Sequence, residues 1–251
     1  MTTQSLRGKV VFVAGGAKNL GGLISRTVAR HGARVAVHYN SDSTEAAAKE
    51  TVAACEQVGG EAFALQADLT KVPEIRRVFD TVVDRYGSLY ASVNTAGLAI
   101  GHVMTDVTEE EFDRHFAINA KGAFFVMAEA AKRMEDHGKI ITFVSSLLAA
   151  YTGRYSVYAG SKAPVEHFTR ALSKELFDRH ISVNNIAPGP MDTPFFWNAA
   201  APGEADFSKS MSNTGDLTKI EDIAPWVEFL LTGGSFANGQ TLFVNGGFST
   251  R

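Results

Sequence analysis

Apolar residues recur along the chain in two alternating rhythms. Short continuous apolar runs, of the kind that make buried parallel strands, fall at about 9–14 (KVVFVA), 33–38 (ARVAVH), 61–66, 89–94, 139–145, 181–187 and 241–244. Between them lie longer stretches with helical spacing at about 21–31, 43–58, 73–86, 109–136, 156–179 and 221–231. Such alternation predicts an α/β fold, a doubly wound parallel sheet of about seven strands with helices on both faces. Right-handed crossovers would then set a ligand crevice at the carboxyl ends of the strands. One stretch breaks the rhythm: residues 193–216 mix aromatic, alanine, glycine and serine residues between two well-patterned elements. A loop that long in a compact domain is expected to be functional, here as a lid over a site.

The first strand runs straight into GGAKNLGG at 15–22, and a helix over 23–31, closed by Gly32, leads to the second strand. This is the Rossmann-type unit that presents backbone N–H groups and a helix N-terminus to a dinucleotide pyrophosphate. The usual G-x-G-x-x-G spacing does not fit. A wider G-x-x-x-G-x-G pattern does, on Gly15 and Gly21, with Asn19 in the middle glycine slot. Asparagine is the best non-glycine substitute where φ must be positive. A plain strand-to-helix turn without a ligand is the alternative that the glycines alone leave open.

Tyr158 and Lys162 stand four apart in YAGSK, a short way after Ser145-Ser146. On a helix that spacing puts a phenol and an ammonium on one face. At roughly 6 Å and an effective dielectric of ~20, the cation favours the phenolate by about 3 kcal/mol, roughly two pK units off a reference of about 10. The tyrosine is therefore expected to serve as acid and base near neutral pH.

These motifs do not stand alone. In order come the glycine turn, Asp68 in ADLT, NTAG at 94–97, Asn119 in INAKG, Ser145-Ser146, YAGSK, APGPMDT at 187–193 and NGQTLFVNGG near the end. From about Gly8 to Gly247 the chain resembles a short-chain dehydrogenase/reductase, of the NADPH-dependent ketoreductase or carbonyl reductase type. The resemblance implies NADP(H): the second strand ends His38-Tyr39-Asn40-Ser41 with no acid until Asp42, and Lys18 precedes Asn19 where NADPH-using members often carry a basic residue. It assigns Gly15, Lys18, Asn19, Leu20 and Gly21 to the cofactor turn, and Tyr39, Asn40 and Ser41 to the 2′-phosphate end. Asp68 and Leu69 would meet the adenine, and Asn94, Ala96 and Gly97 the adenosine ribose. Pro188, Gly189, Met191 and Thr193 would hold the nicotinamide carboxamide and pyrophosphate. Thr95 departs from the family, which more often has a second asparagine there, and Tyr90 stands where an aspartate is common.

The resemblance likewise implies a catalytic set of Asn119, a serine, Tyr158 and Lys162. Serine and Tyr158 would bind the carbonyl oxygen and Tyr158 would give its proton. Lys162 would hold the nicotinamide ribose, and Asn119 would bind a water in a locally broken helix. Ser146 lies twelve residues before Tyr158 and Ser145 thirteen, both familiar spacings. Ser146, which matches the family's second SS position, is favoured, and a loop 147–155 one residue shorter than in many relatives accounts for the ambiguity.

Composition narrows the function classes. With 251 residues, 45% hydrophobic and 20% charged, the chain is expected to bury one core as a single domain over residues 1–251. A net charge of −3, without a basic stripe, argues against nucleic acid, and the apolar runs are too short for a membrane span. The one cysteine, Cys55, cannot form an internal disulfide, which with the absence of a signal-peptide core predicts a cytoplasmic enzyme. None of the seven histidines has metal-ligand spacing, so no metal is expected.

Leu147, Leu148, Tyr151, Tyr155, Phe195, Phe196 and Trp197 suggest an apolar, aromatic pocket for a small carbonyl or alcohol. Alternatives are a 3-oxoacyl carrier-protein reductase, which would want a basic patch at the pocket mouth, and a non-catalytic cofactor-binding sensor. Helices 109–136 and 156–179 carry more apolar surface than one sheet face covers. In the family the matching helices pack against symmetry mates, which implies a homotetramer.

Overall fold

The apolar runs become seven strands: β1 (Val10–Ala14), β2 (Arg34–Tyr39), β3 (Glu61–Gln66), β4 (Ala91–Asn94), β5 (Lys139–Phe143), β6 (Ser182–Pro188) and β7 (Thr241–Val244). This computed structural model describes residues 5–150 and 152–250, which leaves Tyr151 outside the described residues. The strands form one sheet in the order β3-β2-β1-β4-β5-β6-β7, every pair parallel. β1, β5 and β6 are buried along their whole length, as strands covered on both faces must be, although only β1 is apolar throughout.

The period-two alternation of a strand divides the core in two. Val10, Phe12 and Ala14 face one side, packed on Ile75, Val78, Phe79 and Val82 of α3 (Val72–Tyr86) and on Val126 and Ala130 of α5 (Ala123–Arg133). Val165 of α6 (Ser156–Glu175) joins that side. Val11 and Val13 face the other, against Leu20, Ile24 and Val28 of α1 (Asn19–Arg30) and Ile223, Val227 and Leu230 of α9 (Ile220–Thr232). Cys55 of α2 (Glu45–Gln57) is buried there, a free thiol whose pKa burial pushes up to about 11. After β3 the chain crosses to the other side of β1 to lay down β4. The carboxyl ends of β1 and β4 thus flank the point where strand order reverses, the place where open α/β sheets bind ligands.

Two expected elements differ in detail. The single helix expected over 109–136 is three segments: α4 (Glu109–His115), a π-helical stretch Phe116–Gly122 around Asn119, and α5. Widened turns of this kind concentrate at functional sites. The loop expected over 193–216 contains two short helices, α7 (Pro194–Trp197) and α8 (Glu204–Ser210). Their brevity hides them from periodicity, since neither spans much beyond one or two turns.

On the α3/α5 side lies a buried carboxylate, Glu129, whose side chain is 2% exposed. It accepts from Lys132 at 2.8 Å, from Arg133, and from Arg76 of α3 at 3.4 Å. Burial alone would raise its pKa, but the Lys132 and Arg133 contacts outweigh it and bring the group from 4.5 to about 2. A depressed carboxyl contributes stability that is complete above its unfolded pKa and is lost as pH falls toward the folded value. The fold should therefore lose up to about 3 kcal/mol between the two pKa values, less whatever solvent around the exposed cations screens. Urea midpoints measured from pH 5 to pH 2.5 check this (about the window given by linkage): Glu129→Gln should flatten the acid slope, and parallel slopes would contradict it.

Candidate active site

Two cavities open at the carboxyl ends of the strands. The larger, about 760 Å³, runs along the glycine turn past the ends of β2, β3 and β4. The other, about 540 Å³, lies between β6, the start of α6 and the segment 193–216. Tyr158 lines both, together with Val144, Pro188, Met191, Thr193 and Phe195, so the phenol stands where the two meet.

Local structure accounts for the shape of the larger groove. Gly15 takes φ +71° and Asn19 φ +50°, the left-handed conformations expected of them. Gly21 is needed for a different reason, since a Cβ there would come within 2.1 Å of the Gly15 carbonyl oxygen. The turn is then tied from outside. Ser25 Oγ donates to the carbonyls of Gly16 and Gly21, at 3.2 and 2.9 Å, and Thr51 Oγ1 to that of Ala17 at 2.7 Å. Thr95, the departure in NTAG, donates to the Ala14 carbonyl at 2.7 Å and so fastens β4 to the same turn.

Tyr158 and Lys162 lie on α6, both more than nine-tenths buried. Lys162 Nζ donates to the Phe143 carbonyl at 2.8 Å, and burial lowers its pKa to about 8. Burial raises the Tyr158 pKa to about 12, offset in part by a hydrogen bond with Ser145. This corrects the expected shift toward phenolate. Desolvation of the phenol exceeds any help from the cation, whose ammonium is turned to the Phe143 carbonyl. At neutral pH the group is a protonated acid.

The two serines have different partners, although both line the smaller cavity. Ser145 is the serine that faces Tyr158 and holds its pKa down, and its Oγ also accepts the Leu147 N–H at 3.2 Å. Ser146 Oγ donates to the Ala187 carbonyl at 3.1 Å and ties β6 to the 3₁₀ turn Ser146–Leu148. Asn119 is wholly buried in the π-helical stretch. Its Oδ1 accepts the Leu98 N–H at 3.0 Å, and its Nδ2 donates to the Leu98 carbonyl at 2.8 Å and to Ser161 Oγ at 3.0 Å. The amide thus pins the segment after β4 to the helix that carries Tyr158. Gly97 completes the packing: a Cβ there would lie 3.0 Å from Asn119 Oδ1 and 3.1 Å from Lys162 Nζ.

A family model described as enoyl-(acyl carrier protein) reductase matches residues 15–249. The chain belongs to the short-chain dehydrogenase/reductase family. It is 36% identical to a short-chain type dehydrogenase/reductase of Picea abies, over 96% of this chain and 93% of that protein. To a hydroxynaphthalene reductase-like protein of Metarhizium brunneum it is 34% identical, over 99% and 98%. The crystal structure of a Burkholderia cenocepacia dehydrogenase with bound NADP superposes with a TM-score of 0.96 at 48% identity, covering 100% of this chain and 97% of that one. This short-chain dehydrogenase/reductase is therefore an oxidoreductase acting between CH–OH and C=O.

Most residues expected in its cofactor groove line it: Gly15, Lys18, Asn19, Leu20, Gly21, Tyr39, Asn40, Asp68, Leu69, Ala96, Gly97, Pro188, Met191 and Thr193, with Tyr158 and Lys162. Three do not. Ser41 caps the 3₁₀ turn Asp42–Thr44, with its hydroxyl on Ser43 Oγ at 2.9 Å. Asn94 is buried behind the wall, where its Oδ1 accepts the Ala96 N–H at 3.1 Å. Gly189 lines the smaller cavity instead. Among residues the sequence reading passed over, His38, Thr44, Arg114 and Ile118 also line the groove. Arg114 and Ile118 are four apart, so their shared helix face, one residue from Asn119, was the available signal. For His38 it was a polar residue closing an apolar strand.

The smaller cavity takes Leu147, Tyr155, Phe195 and Phe196 as expected, but not Leu148 or Trp197. Leu148 packs into the core, and Trp197 is half exposed with its indole N–H on Asp192 Oδ1 at 2.7 Å. The only charged residues on this wall are Arg154 and Glu204, among the described residues. Arg154 donates to the Gly101 carbonyl, and Glu204 accepts from Tyr155 Oη at 2.5 Å and from the Ala201 N–H at 2.8 Å.

Two outcomes follow for mutants assayed by turnover and cofactor titration. Tyr158→Phe should abolish turnover and leave cofactor affinity nearly unchanged, because it removes the proton and little contact area. Ser145→Ala should lower kcat by about 10²-fold, the scale of one lost hydrogen-bond donor at a developing oxyanion. Ser146→Ala should cost less, and the reverse order would overturn the assignment.

Proposed function

We propose that the protein is an NADPH-dependent carbonyl reductase that reduces a ketone or aldehyde and runs in reverse as an alcohol dehydrogenase. The observation that carries this reading is the position of the Tyr158 phenol at the junction of a dinucleotide-sized groove and an apolar cavity. Chain and groove form a single cofactor-binding and catalytic domain, with residues 193–216 as its lid.

The residues present fit NADP(H). The glycine cradle leaves no room for side chains at Gly21 or Gly97, which keeps the backbone open to close approach. Lys18 and Asn40 stand exposed on the groove wall, and no acid ends β2 to repel a 2′-phosphate. The bound NADP of the Burkholderia relative supports the same choice. Lys18, Asn40 and Thr44 would hold the phosphate end, and Lys162 the nicotinamide ribose. When bound, the nicotinamide supplies or accepts the hydride.

The chain's own part is binding and proton transfer. Ser145 and Tyr158 hold the carbonyl oxygen between them, which draws electron density off the carbon. Tyr158 then gives its phenolic proton to that oxygen, leaving an alcohol and a phenolate. With its pKa pushed up to about 12 the buried phenol carries its proton throughout the neutral range. The buried Lys162 ammonium stabilises the phenolate as it forms. Around them the apolar wall excludes water and strengthens both interactions.

The cavity supports a neutral, apolar substrate, because both of its charged side chains are committed to protein partners. That weighs against a 3-oxoacyl carrier-protein substrate. The complete set of Asn119, Ser145, Tyr158 and Lys162 weighs against a non-catalytic sensor. Aromatic ketones head the panel, in keeping with the aromatic wall and with the name of the Metarhizium relative. We also read the protein as a cytoplasmic homotetramer, with a dimer as the lesser form. Phe112 and Phe124 near α4 and α5, Trp226 and Phe229 on α9, and the partly exposed β7 support this.

Fluorescence titration should give tighter binding of NADPH than of NADH, and Lys18→Glu should reverse much of the difference. Equal or tighter NADH binding by the wild type would refute the cofactor choice. In the reductive direction kcat/KM should be flat at neutral pH and fall as pH rises through about 8, where Lys162 loses its proton. A profile that rises there would contradict the roles given. Sedimentation at micromolar concentration tests the assembly, and a stable, active monomer would refute it.

A further inference from the structure

His38 is the last residue but one of β2 and is buried, 2% exposed. Nδ1 lies 3.0 Å from the backbone nitrogen of Gly15, and Nε2 lies 2.9 Å from the carbonyl oxygen of Ala67. A backbone N–H only donates and a carbonyl only accepts, so these partners decide the protonation of the ring. Nδ1 carries no proton and Nε2 carries one. The cationic form and the other neutral tautomer each set two like groups face to face.

The two partners belong to the two loops that build the groove. Gly15 opens the glycine turn, and the backbone of His38 holds the same turn again, its carbonyl accepting the Gly16 N–H at 2.9 Å. Ala67 leads directly into Asp68 and Leu69, on the opposite wall. No other side chain of β2 bonds both loops in the described residues.

We propose that His38 is a positioning residue for the cofactor: a neutral imidazole in one tautomer that sets the spacing between the glycine turn and the adenine-side loop. The inference rests on reading this groove as the NADP(H) site. The surroundings favour the neutral ring. From β1 it meets the Phe12 ring, 6.1 Å between centroids, and from the glycine turn the Gly15 N–H. The loop after β3 brings the Ala67 carbonyl and the Asp68 carboxylate, which favour protonation, but burial outweighs them and lowers the pKa to about 4. The bridge should hold through the physiological range and open only in acid.

The substitutions dissect its two arms. In His38→Asn the Oδ1 atom stands in for Nδ1 and keeps an acceptor for Gly15, while His38→Leu keeps neither bond. NADPH affinity, measured by fluorescence titration at pH 7.5, should fall about 10- to 100-fold in His38→Leu, one to two hydrogen bonds' worth. His38→Asn should recover at least half of that loss on a logarithmic scale, and kcat at saturating NADPH should stay within about threefold in both, because the chemistry is remote.

A second readout needs no variant and no turnover. In ¹⁵N-histidine spectra of the wild-type protein, His38 should show an unprotonated Nδ1 and a protonated Nε2 unchanged from pH 8 to about pH 5, as burial requires. Titration of His38 near its ordinary value, or the opposite tautomer, would overturn the proposal even if both variants failed to fold. A wild type that binds no NADPH would defeat the cofactor reading and this proposal with it. A wild type that binds, beside a His38→Leu protein that binds equally well, would overturn this proposal alone.

Discussion

Removal of water from one point governs the site: the place where the Tyr158 phenol, the Lys162 ammonium and the Ser145 hydroxyl come together below the ends of β5 and β6. Burial pushes the phenol up to about 12 and the ammonium down to about 8, so that each group is held away from its charged form. A pair of such groups in solvent would be indifferent to one another. In a dry junction a cation acts most strongly once negative charge appears on the tyrosine oxygen. The π-helical stretch, the missing side chain at Gly97 and the amide of Asn119 all serve to keep that junction packed.

Much of this was legible in the amino-acid order. Continuous apolar runs marked the strands, and the left-handed φ of Asn19 is what its place in the glycine turn required. What escaped was what depends on three-dimensional neighbours. Spacing along α6 says that Tyr158 and Lys162 share a face, but not that the lysine's nearest polar partner is the Phe143 carbonyl. Charge–charge arithmetic at an assumed dielectric therefore gave the wrong sign for the tyrosine. In the same way, Ser145 and Ser146 differ by one position in sequence, whereas the turn that follows points one hydroxyl at Tyr158 and the other at Ala187. Trp197 reads as a pocket residue until its indole is found on Asp192 at the surface.

Polar groups near the cleft are mostly bound to backbone, and this division of labour is a second theme. Ser25, Thr51 and Thr95 fasten the glycine turn, and Asn94 shapes the segment that follows β4. Because those side chains spend their hydrogen bonds on the scaffold, the groove can be built from loops and still be rigid. The smaller cavity follows the opposite plan. Its wall is mostly apolar, and the Tyr155–Glu204 bond joins the start of α6 to the start of α8.

The π-helical stretch has an effect on the geometry of α4 and α5 that reaches beyond Asn119. Each residue of an α-helix advances about 100° around its axis, and widened turns fall behind that count. The stripes of side chains before Phe116 and after Gly122 are therefore out of phase, as if two separate helices had been joined end to end. Phe112 and Phe124 can both look outward while His115, Asn119 and Val126 look inward, an arrangement no single amphipathic periodicity would permit. Regular α-helical turns through the same seven residues would instead rotate α5 about its axis and draw Glu129 away from Arg76 of α3, while Lys132 and Arg133, on the same helix, turned with it.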